Sequence, residues 1–483
     1  MSSEKHLHPV AMLIGAVGTL RRWIRGLVFP GIVLLMSQGF SLRTVVLFLI
    51  GVLVVGALAA LWGFLSWRAT TYTVTANSFR LRQGVFQKSE RTIPLDHVQS
   101  VDTVQGVIQR LFGVVEVRIE TAGGGSGEPD ASLSALDRTA AQTLRREVEG
   151  ACREGTEETE SPTVLRRLST RELLVAGATS GQIGVAFSVL AVGFQFFDDI
   201  LSDELLRRFV ETYEPNWQKV LLILFPATLL LAWLLAIAGT VLAYAGFTLS
   251  RQGDFLYIKR GLLERREATI PLARIQAVRV SEGILRQPFG LAALRVESAG
   301  YGEDAGVSTM LFPLLPRDEV DGFLAAAAPE FAVHPTLEAL PHRALRRYIF
   351  RSTFLFLIIA VAAALASVLV FHTGAGLPAL VLVPFAVLYG WLAFQDAGWA
   401  FEEDRLVVRY RNLGRKTAIA PRRRLQSREV MRTPFQRRVR LATFLAEVAS
   451  GSGGFTLRIT DLDAGAAQRL AGELGPRARL EGA

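Results

Sequence analysis

The chain has 483 residues, 50% of them hydrophobic, with a mean hydropathy of +0.32 and a formal net charge of +9. These values exclude a single soluble globule, whose core would not gather its apolar residues into long stretches. One cysteine, Cys152, excludes an intramolecular disulfide and leaves the compartment undetermined by redox logic.

The first apolar stretch, Val10–Leu20, follows His6, His8 and Pro9 and ends in Arg21, Arg22 and Arg25. It is too short to span and reads as an interfacial helix leading into the membrane rather than a signal peptide. Crossing a hydrocarbon core takes about 20 apolar residues. Six segments are read as spans: 24–40, 45–67, 173–197, 220–245, 348–371 and 377–394. Three of them, 45–67, 220–245 and 348–371, are nearly free of charge. Segment 24–40 is short, 173–197 is polar at Thr179, Ser180 and Gln182, and 377–394 carries Pro378 and Pro384. Taken in order they make three hairpins. The divisions are 1–68 (interfacial helix and first hairpin), 69–160, 161–245 (second hairpin), 246–335, 336–398 (third hairpin) and 399–483. Arginines crowd the flanks on the side of the β-rich blocks, among them Arg68, Arg166, Arg167, Arg343 and Arg347. The tip at 198–217 holds six acids. Positive flanks face the cytoplasm, so both termini and all three blocks are expected there.

The blocks repeat. Glu90, Pro94, Gln99, Gly113 and Glu120 of the first recur 177 residues later as Glu267, Pro271, Gln276, Gly290 and Glu297. Between Gly84 and Gly123, 15 of 40 positions are identical to those at 261–300 without a gap. A weaker third copy keeps Pro421, Gln426 and Glu447. Period-two alternation, Val115, Val117 and Ile119 against Glu116, Arg118 and Glu120, predicts strands with one buried face. Gly84 and Gly261 sit where two strands must turn. Pro94 and Pro271 belong at a strand start or an edge, and Phe112 and Phe289 are expected in the cores of their domains. A helical pattern follows in each block, with Asp318 a candidate N-cap in the second and Asp461 or Asp463 in the third. The fold class is membrane α-helical hairpins plus α+β: each pair of spans is followed by a small barrel or sandwich closed by a helix.

The segment from Glu90 to Gln99, with Gln109-Arg110-Leu111-Phe112-Gly113 and their second-block counterparts, resembles the membrane-flanked bacterial pleckstrin-homology-like (PH-like) domain. Three such units with three hairpins resemble the YdbT-like proteins. The resemblance implies a seven-stranded barrel with a C-terminal helix. It also implies a role in resistance to membrane-active antimicrobial compounds, and a smaller membrane protein with a single such domain as partner.

No constellation for catalysis emerges. The six histidines lack metal-ligand spacing, and nucleophile elbows, Walker loops and kinase signatures are absent. No cofactor and no enzymatic activity are therefore expected. Glu120, Glu297 and Glu447, repeated in all three blocks, read as cross-strand partners of arginine. Between Arg405 and Arg440 there are 13 Lys/Arg and one acid, Glu429. Within it Arg422, Arg423, Arg424, Arg437, Arg438 and Arg440 are the candidate binding residues. Tethering to the membrane makes anionic lipid headgroups the expected ligand, and nucleic acid is not expected. A non-enzymatic platform at the inner leaflet is the leading reading. A six-helix transporter or flippase is the alternative, opposed by the scarcity of ionisable residues in the spans.

Overall fold

The computed structural model describes residues 4–20, 23, 42–75, 77–121, 130–151, 162–182, 184–188, 190, 217–298, 310–369, 381–450 and 454–475. Segment 24–40, most of the hairpin tips, the glycine-rich loop 123–127, residues 451–453 and Cys152 lie outside them. The described residues contain 21 strands, seven per repeat. The first seven are β1 (Lys5–His6), β2 (Thr71–Val74), β3 (Ser78–Gln83), β4 (Ser89–Pro94), β5 (Val98–Gln105), β6 (Val114–Thr121) and β7 (Ala131–Asp137). The second set is β8 (Thr163–Arg167), β9 (Thr248–Gln252), β10 (Phe255–Arg260), β11 (Arg265–Pro271), β12 (Ile275–Glu282), β13 (Leu291–Ser298) and β14 (Met310–Pro316). The third is β15 (Glu338–Ala339), β16 (Gly398–Glu402), β17 (Arg405–Arg411), β18 (Arg415–Pro421), β19 (Leu425–Met431), β20 (Leu441–Val448) and β21 (Phe455–Asp463).

In the first repeat β1–β4 form one antiparallel sheet, and β5–β7 belong to another. Phe79, Leu81 and Ile93 of the first sheet meet Val117, Ile119 and Leu133 of the second in one buried core, closed by Ala141 and Leu144 of the helix Arg138–Ala151. The third repeat builds the same core from Leu406 and Val408, Phe444 and Leu457, and the helix Ala464–Glu473. Asp463 caps that helix, its carboxylate accepting from Gly465 and Ala466 N–H at 2.9 and 3.2 Å. Asp318 does not cap its helix. Val320–Ala327 begins from Glu319 with no side-chain cap, because a 3-10 turn, Arg317–Glu319, already occupies the approach. Gly84 and Gly261 adopt φ of +108° and +102°, and a Cβ on either would lie about 2 Å from a carbonyl oxygen. Only glycine closes these hairpins.

The first strand of each domain precedes its membrane hairpin. β1 pairs with β2 across the first, β8 with β9 across the second, and β15 with β16 across the third. The expected domain starts at 69, 246 and 399 therefore come one strand late, because a two- to five-residue edge strand carries too little pattern to be seen. His6 lies in β1 opposite Thr71. Pro94, Pro271 and Pro421 are the last residues of β4, β11 and β18, each leading into a 3-10 turn. Because β4 is the edge strand of its sheet, Pro94 lies at an edge as expected, whereas Pro271 is at neither a strand start nor a sheet edge.

Three described helices are long and apolar enough to cross a membrane: Val46–Ala69, Leu222–Tyr244 and His342–Leu369. Segment 173–197 is not one continuous helix. Thr170–Ala178 ends at Thr179, whose hydroxyl donates to Val175 O at 2.7 Å, and helix resumes at 184–188. Leu382–Asp396 has 15 helical residues, fewer than a crossing requires. The expectation of six spans thus holds for three among the described residues.

Successive repeats share sheets. β5 pairs antiparallel with β11, placing Thr103 opposite Glu267 and making one seven-stranded sheet, β7-β6-β5-β11-β10-β9-β8. β12 pairs with β18 in the same way, in the order β14-β13-β12-β18-β17-β16-β15. At the first of these joints the Asp102 carboxylate is buried and accepts Thr269 N–H at 3.3 Å. Burial pushes its pKa up to about 6, against the pull of the Thr269 N–H and of Arg145, Arg118 and Arg266. A raised acid contributes stability that is present below its unfolded value of 3.8 and lost as pH rises through 6. Asp102→Asn keeps an acceptor oxygen and removes the charge. It should melt with the wild type below pH 4 and gain roughly 1–3 kcal/mol above pH 6, at about 1.4 kcal/mol per pH unit. Parallel thermal melts at the two pH values check this, and no gain at pH 7 would show that the buried charge is fully compensated.

Candidate membrane-interface site

Two loops in each domain carry exposed apolar side chains. The β3–β4 hairpin presents Phe86, 88% exposed, and its counterparts present Leu262, Leu263 and Leu413. The β5–β6 connection, a short helix Val107–Leu111, presents Val107, Leu111 and Phe112. The β12–β13 connection presents Ile284, Leu285 and Phe289, and the helix Pro434–Arg438 presents Phe435. Phe112 and Phe289 are 45% and 71% exposed, so neither is the core residue expected from the repeat. The alternating residues of β6 and β13 fill the core, and the loops project away from it. Val439-Arg440, standing for Phe112-Gly113 in the third repeat, is the clue in the sequence: a buried aromatic position would not accept that exchange.

Gly113, Gly290 and Arg440 share the same left-handed backbone, with φ of +70°, +59° and +54°. Arg440 thus holds a conformation that non-glycine residues adopt at some cost. Its carbonyl accepts from Ala464 N–H at 3.0 Å.

In each repeat one of these connections is held by a helix of the same unit. Phe86 stacks near Trp62 of the helix Leu42–Ala69, ring centroids 5.8 Å apart. Arg286, in the β12–β13 connection, donates to Ala176 O at 3.2 Å and Thr179 Oγ1 at 3.1 Å. The helix Pro434–Arg438 opens with a Thr433–Gln436 capping box, and Gln436 Nε2 donates to Thr443 Oγ1 and Asp461 Oδ1, both at 2.8 Å. Asp461 also takes Arg347 Nε at 2.8 Å and Arg351 Nη1 at 3.3 Å from the helix Leu345–Leu369. Asp461→Ala would leave Arg347 and Arg351 without this acceptor and the buried Gln436 amide with only Thr443. Losing one partner of a buried pair costs roughly 3–5 kcal/mol, so the third domain should melt well below the wild type. An unchanged melt would mean that solvent compensates the arginines.

The basic stretch of the third repeat divides in two. Arg423 pairs with Glu330 at 2.7 Å, Arg424 approaches the same carboxylate at 3.8 Å, and Arg422 lies 3.5 Å from Asp404 and donates to Gly475 O. The hydrogen bond that Arg423 donates to Glu330 raises the pKa of its guanidinium. Arg423 and Arg424 therefore tie the turn after β18 to Glu330 of the segment Pro329–Phe331, and Arg422 ties it to Asp404 and Gly475, so these three of the candidate binding residues already hold partners within the chain. Arg437, Arg438 and Arg440 are exposed beside Phe435 and make no ion pair among the described residues.

The repeated acids are structural partners. Glu90 pairs with Arg82 at 3.0 Å and Arg80 at 3.3 Å, and Glu267 with Lys259 at 3.1 Å and Arg145 at 3.5 Å. In the third repeat Thr417 replaces the acid, and Arg409, equivalent to Arg82 and Lys259, donates instead to Asp396 O at 2.8 Å. Glu297 pairs across strands with Arg279, as expected, whereas Glu447 accepts from Ser427 Oγ at 2.8 Å. Glu120 stands opposite Ser100. Gln276 donates to Arg274 O at 3.1 Å, Gln426 is exposed, and the side chain of Gln99 lies outside the described residues. Among the described residues no group of three or more His, Cys, Asp or Glu could hold a metal ion.

Sandwiches closed by a helix in the first and third repeats, and seven strands per repeat interrupted each time by an apolar helix long enough to cross a membrane, define a membrane protein built from tandem PH-like domains. The bacterial PH domain family model matches residues 11–151, 207–328 and 353–478, and the chain belongs to that family. It is 32% identical over 484 residues to the UPF0699 transmembrane protein YdbT of Bacillus subtilis (strain 168), covering 96% of each chain. No solved structure matches.

Proposed function

We propose that this is a non-enzymatic integral protein of the cell (inner) membrane whose PH-like domains lie on the cytoplasmic side. There they bind anionic lipid headgroups, partner proteins or both at the inner leaflet, in a role of envelope protection. The observation that carries the reading is the contact of Phe86 with Trp62. Trp62 lies seven residues before the end of its helix at Ala69, about 10 Å into it at about 1.5 Å per residue. A loop side chain held at that depth belongs at the headgroup–acyl boundary, where interfacial anchors bury about 5–10 Å. Arg437 and Arg438 beside Phe435 supply the matching combination of apolar and basic groups. Against the transport reading, the acid that ends the helix Leu382–Asp396 is held by Arg411 and Arg415 at the base of β17 and β18.

The test uses the full chain in nanodiscs, in a Cys152→Ser background, with an environment-sensitive fluorophore on Phe86→Cys, Leu263→Cys or Leu413→Cys. Apolar-type emission, quenched by lipid-borne nitroxides, is expected at the three tips, and water-like emission at a control, Glu473→Cys. Water-like emission at every tip would overturn the platform. For orientation, a reporter active only outside the inner membrane should be silent when fused after Ala483 and active near Thr212. Activity at Ala483 would reverse the topology.

A further inference from the structure

The two joints between repeats differ in one charge. At the first, Asp102 of β5 stands opposite Arg118 of β6, beside Arg266 of β11. The same three positions at the second joint hold Arg279 of β12, Arg295 of β13 and Lys416 of β18. In the first the central carboxylate neutralises its basic neighbours. In the second the centre is itself an arginine, directly opposite another, an arrangement that destabilises a sheet unless something compensates it.

These three side chains line a cavity of about 260 Å³ together with Arg286, Thr179 and Ser180. Arg286 is 9% exposed, and its guanidinium donates only to neutral acceptors: Thr179 Oγ1, Ala176 O and Pro313 O at 3.1, 3.2 and 3.0 Å. Burial, then Arg295, lowers its pKa to about 10. Lys416 is lowered as well, by burial and by Arg279 and Arg295. Glu297 pairs with Arg279. Among the described residues no carboxylate pairs with Arg286, Arg295 or Lys416. Ser180 Oγ and Arg279 Nε are buried without a hydrogen-bond partner. The cavity is thus a preformed set of donors around unbalanced positive charge.

Its position names the anion. Thr179 and Ser180 follow the helix Thr170–Ala178, while Thr240 and Tyr244, also in the wall, belong to the last turns of the span Leu222–Tyr244. The cavity therefore opens at the end of a span, at the level of lipid headgroups. We propose that it holds the phosphate of one anionic phospholipid from the surrounding leaflet, bound by Arg279, Arg286, Arg295 and Lys416. The proposal rests on the reading that this end of the spans faces an anionic leaflet. The bound phosphate takes the part that Asp102 plays at the first joint, and fork-shaped guanidinium groups suit its oxygens.

The experiment is native mass spectrometry and thermal melting of the full chain from nanodiscs of phosphatidylcholine, with and without phosphatidylglycerol. The wild type should retain one phosphatidylglycerol and melt higher in its presence. Arg295→Gln/Lys416→Gln should retain at least tenfold less and show no such rise, while melting no lower than the wild type in phosphatidylcholine alone. Arg279→Asp, which recreates the first joint, should fold and lose the lipid dependence. Arg437→Gln/Arg438→Gln should retain the lipid like the wild type. Equal retention by wild type and the Arg295/Lys416 variant would overturn the site. Displacement of the lipid by millimolar inorganic phosphate, with the same rise in melting from phosphate alone, would assign the cavity to free phosphate and overturn the lipid ligand. Loss of the site with the tips still inserted would leave the platform standing, whereas water-exposed tips would remove it.

Discussion

Edge-to-edge strand pairing between consecutive repeats is the constraint on which the rest of the structure depends. An unpaired sheet edge is a template for association, and proteins cover it. Here β5 is covered by β11 and β12 by β18, so the three-stranded sheets of the first two repeats are completed by the repeat that follows, while β19-β20-β21 of the third stands as its own sheet. A single repeat cut from the chain would expose an edge that its neighbour normally occupies. The first joint also carries its own ionic and aromatic fastening. Arg145, on the closing helix of the first repeat, reaches Glu267 at 3.5 Å, donates to Thr269 Oγ1 and lies over the Tyr257 ring at 4.9 Å. Electrostatic balance is thereby settled between repeats rather than within one.

The second constraint is where the membrane hairpins enter. Because β1, β8 and β15 pair with β2, β9 and β16, the chain leaves each sheet and returns to it on neighbouring strands, which lie about 4.8 Å apart. Helices that flank these strands lie side by side, Thr170–Ala178 against Trp217–Tyr244 and Leu345–Leu369 against Leu382–Asp396. Small residues permit that closeness. A Cβ on Gly63 would lie 2.4 Å from Met12 O, one on Gly177 3.0 Å from Ile237 Cα, and one on Gly390 2.8 Å from Ile349 Cα. The helix Val10–Leu20, expected on the membrane surface, packs through Gly63 against the first span.

Legibility in the sequence followed the strength of each local rule. The repeat, the Gly84 and Gly261 hairpins, the inward face of β6 and the Asp463 cap were all readable, because each depends on neighbours in the chain and on one steric or hydrogen-bonding requirement. Phe112 and Phe289 mislead because an aromatic residue shared by two repeats looks the same whether it fills a core or an exposed loop tip. What separates the two cases is the position of the spans, a long-range fact. The first strands escaped because two residues such as Lys5-His6 show no period. Charge density between Arg405 and Arg440 was visible, but its division was not. Glu330, which takes Arg423 and Arg424, lies more than 90 residues away in the chain.

That division suggests how positive charge should be read in a chain of net +9. Density alone marks the third repeat, yet its arginines at 422–424 are occupied by Glu330, Asp404 and a backbone carbonyl. The less conspicuous trio Arg279, Arg295 and Lys416 is scattered over 138 residues and would never be picked out as a cluster. It becomes one because strand pairing brings three positions together, and a repeat makes its anomaly measurable against an equivalent site. Asp102 at the first joint supplies a carboxylate where the second places Arg279, itself paired with Glu297. The chain pairs the cations of its most basic turn and leaves Arg286, Arg295 and Lys416 without a carboxylate partner among the described residues, so positive charge is unbalanced where strand pairing, not density in the sequence, gathers it.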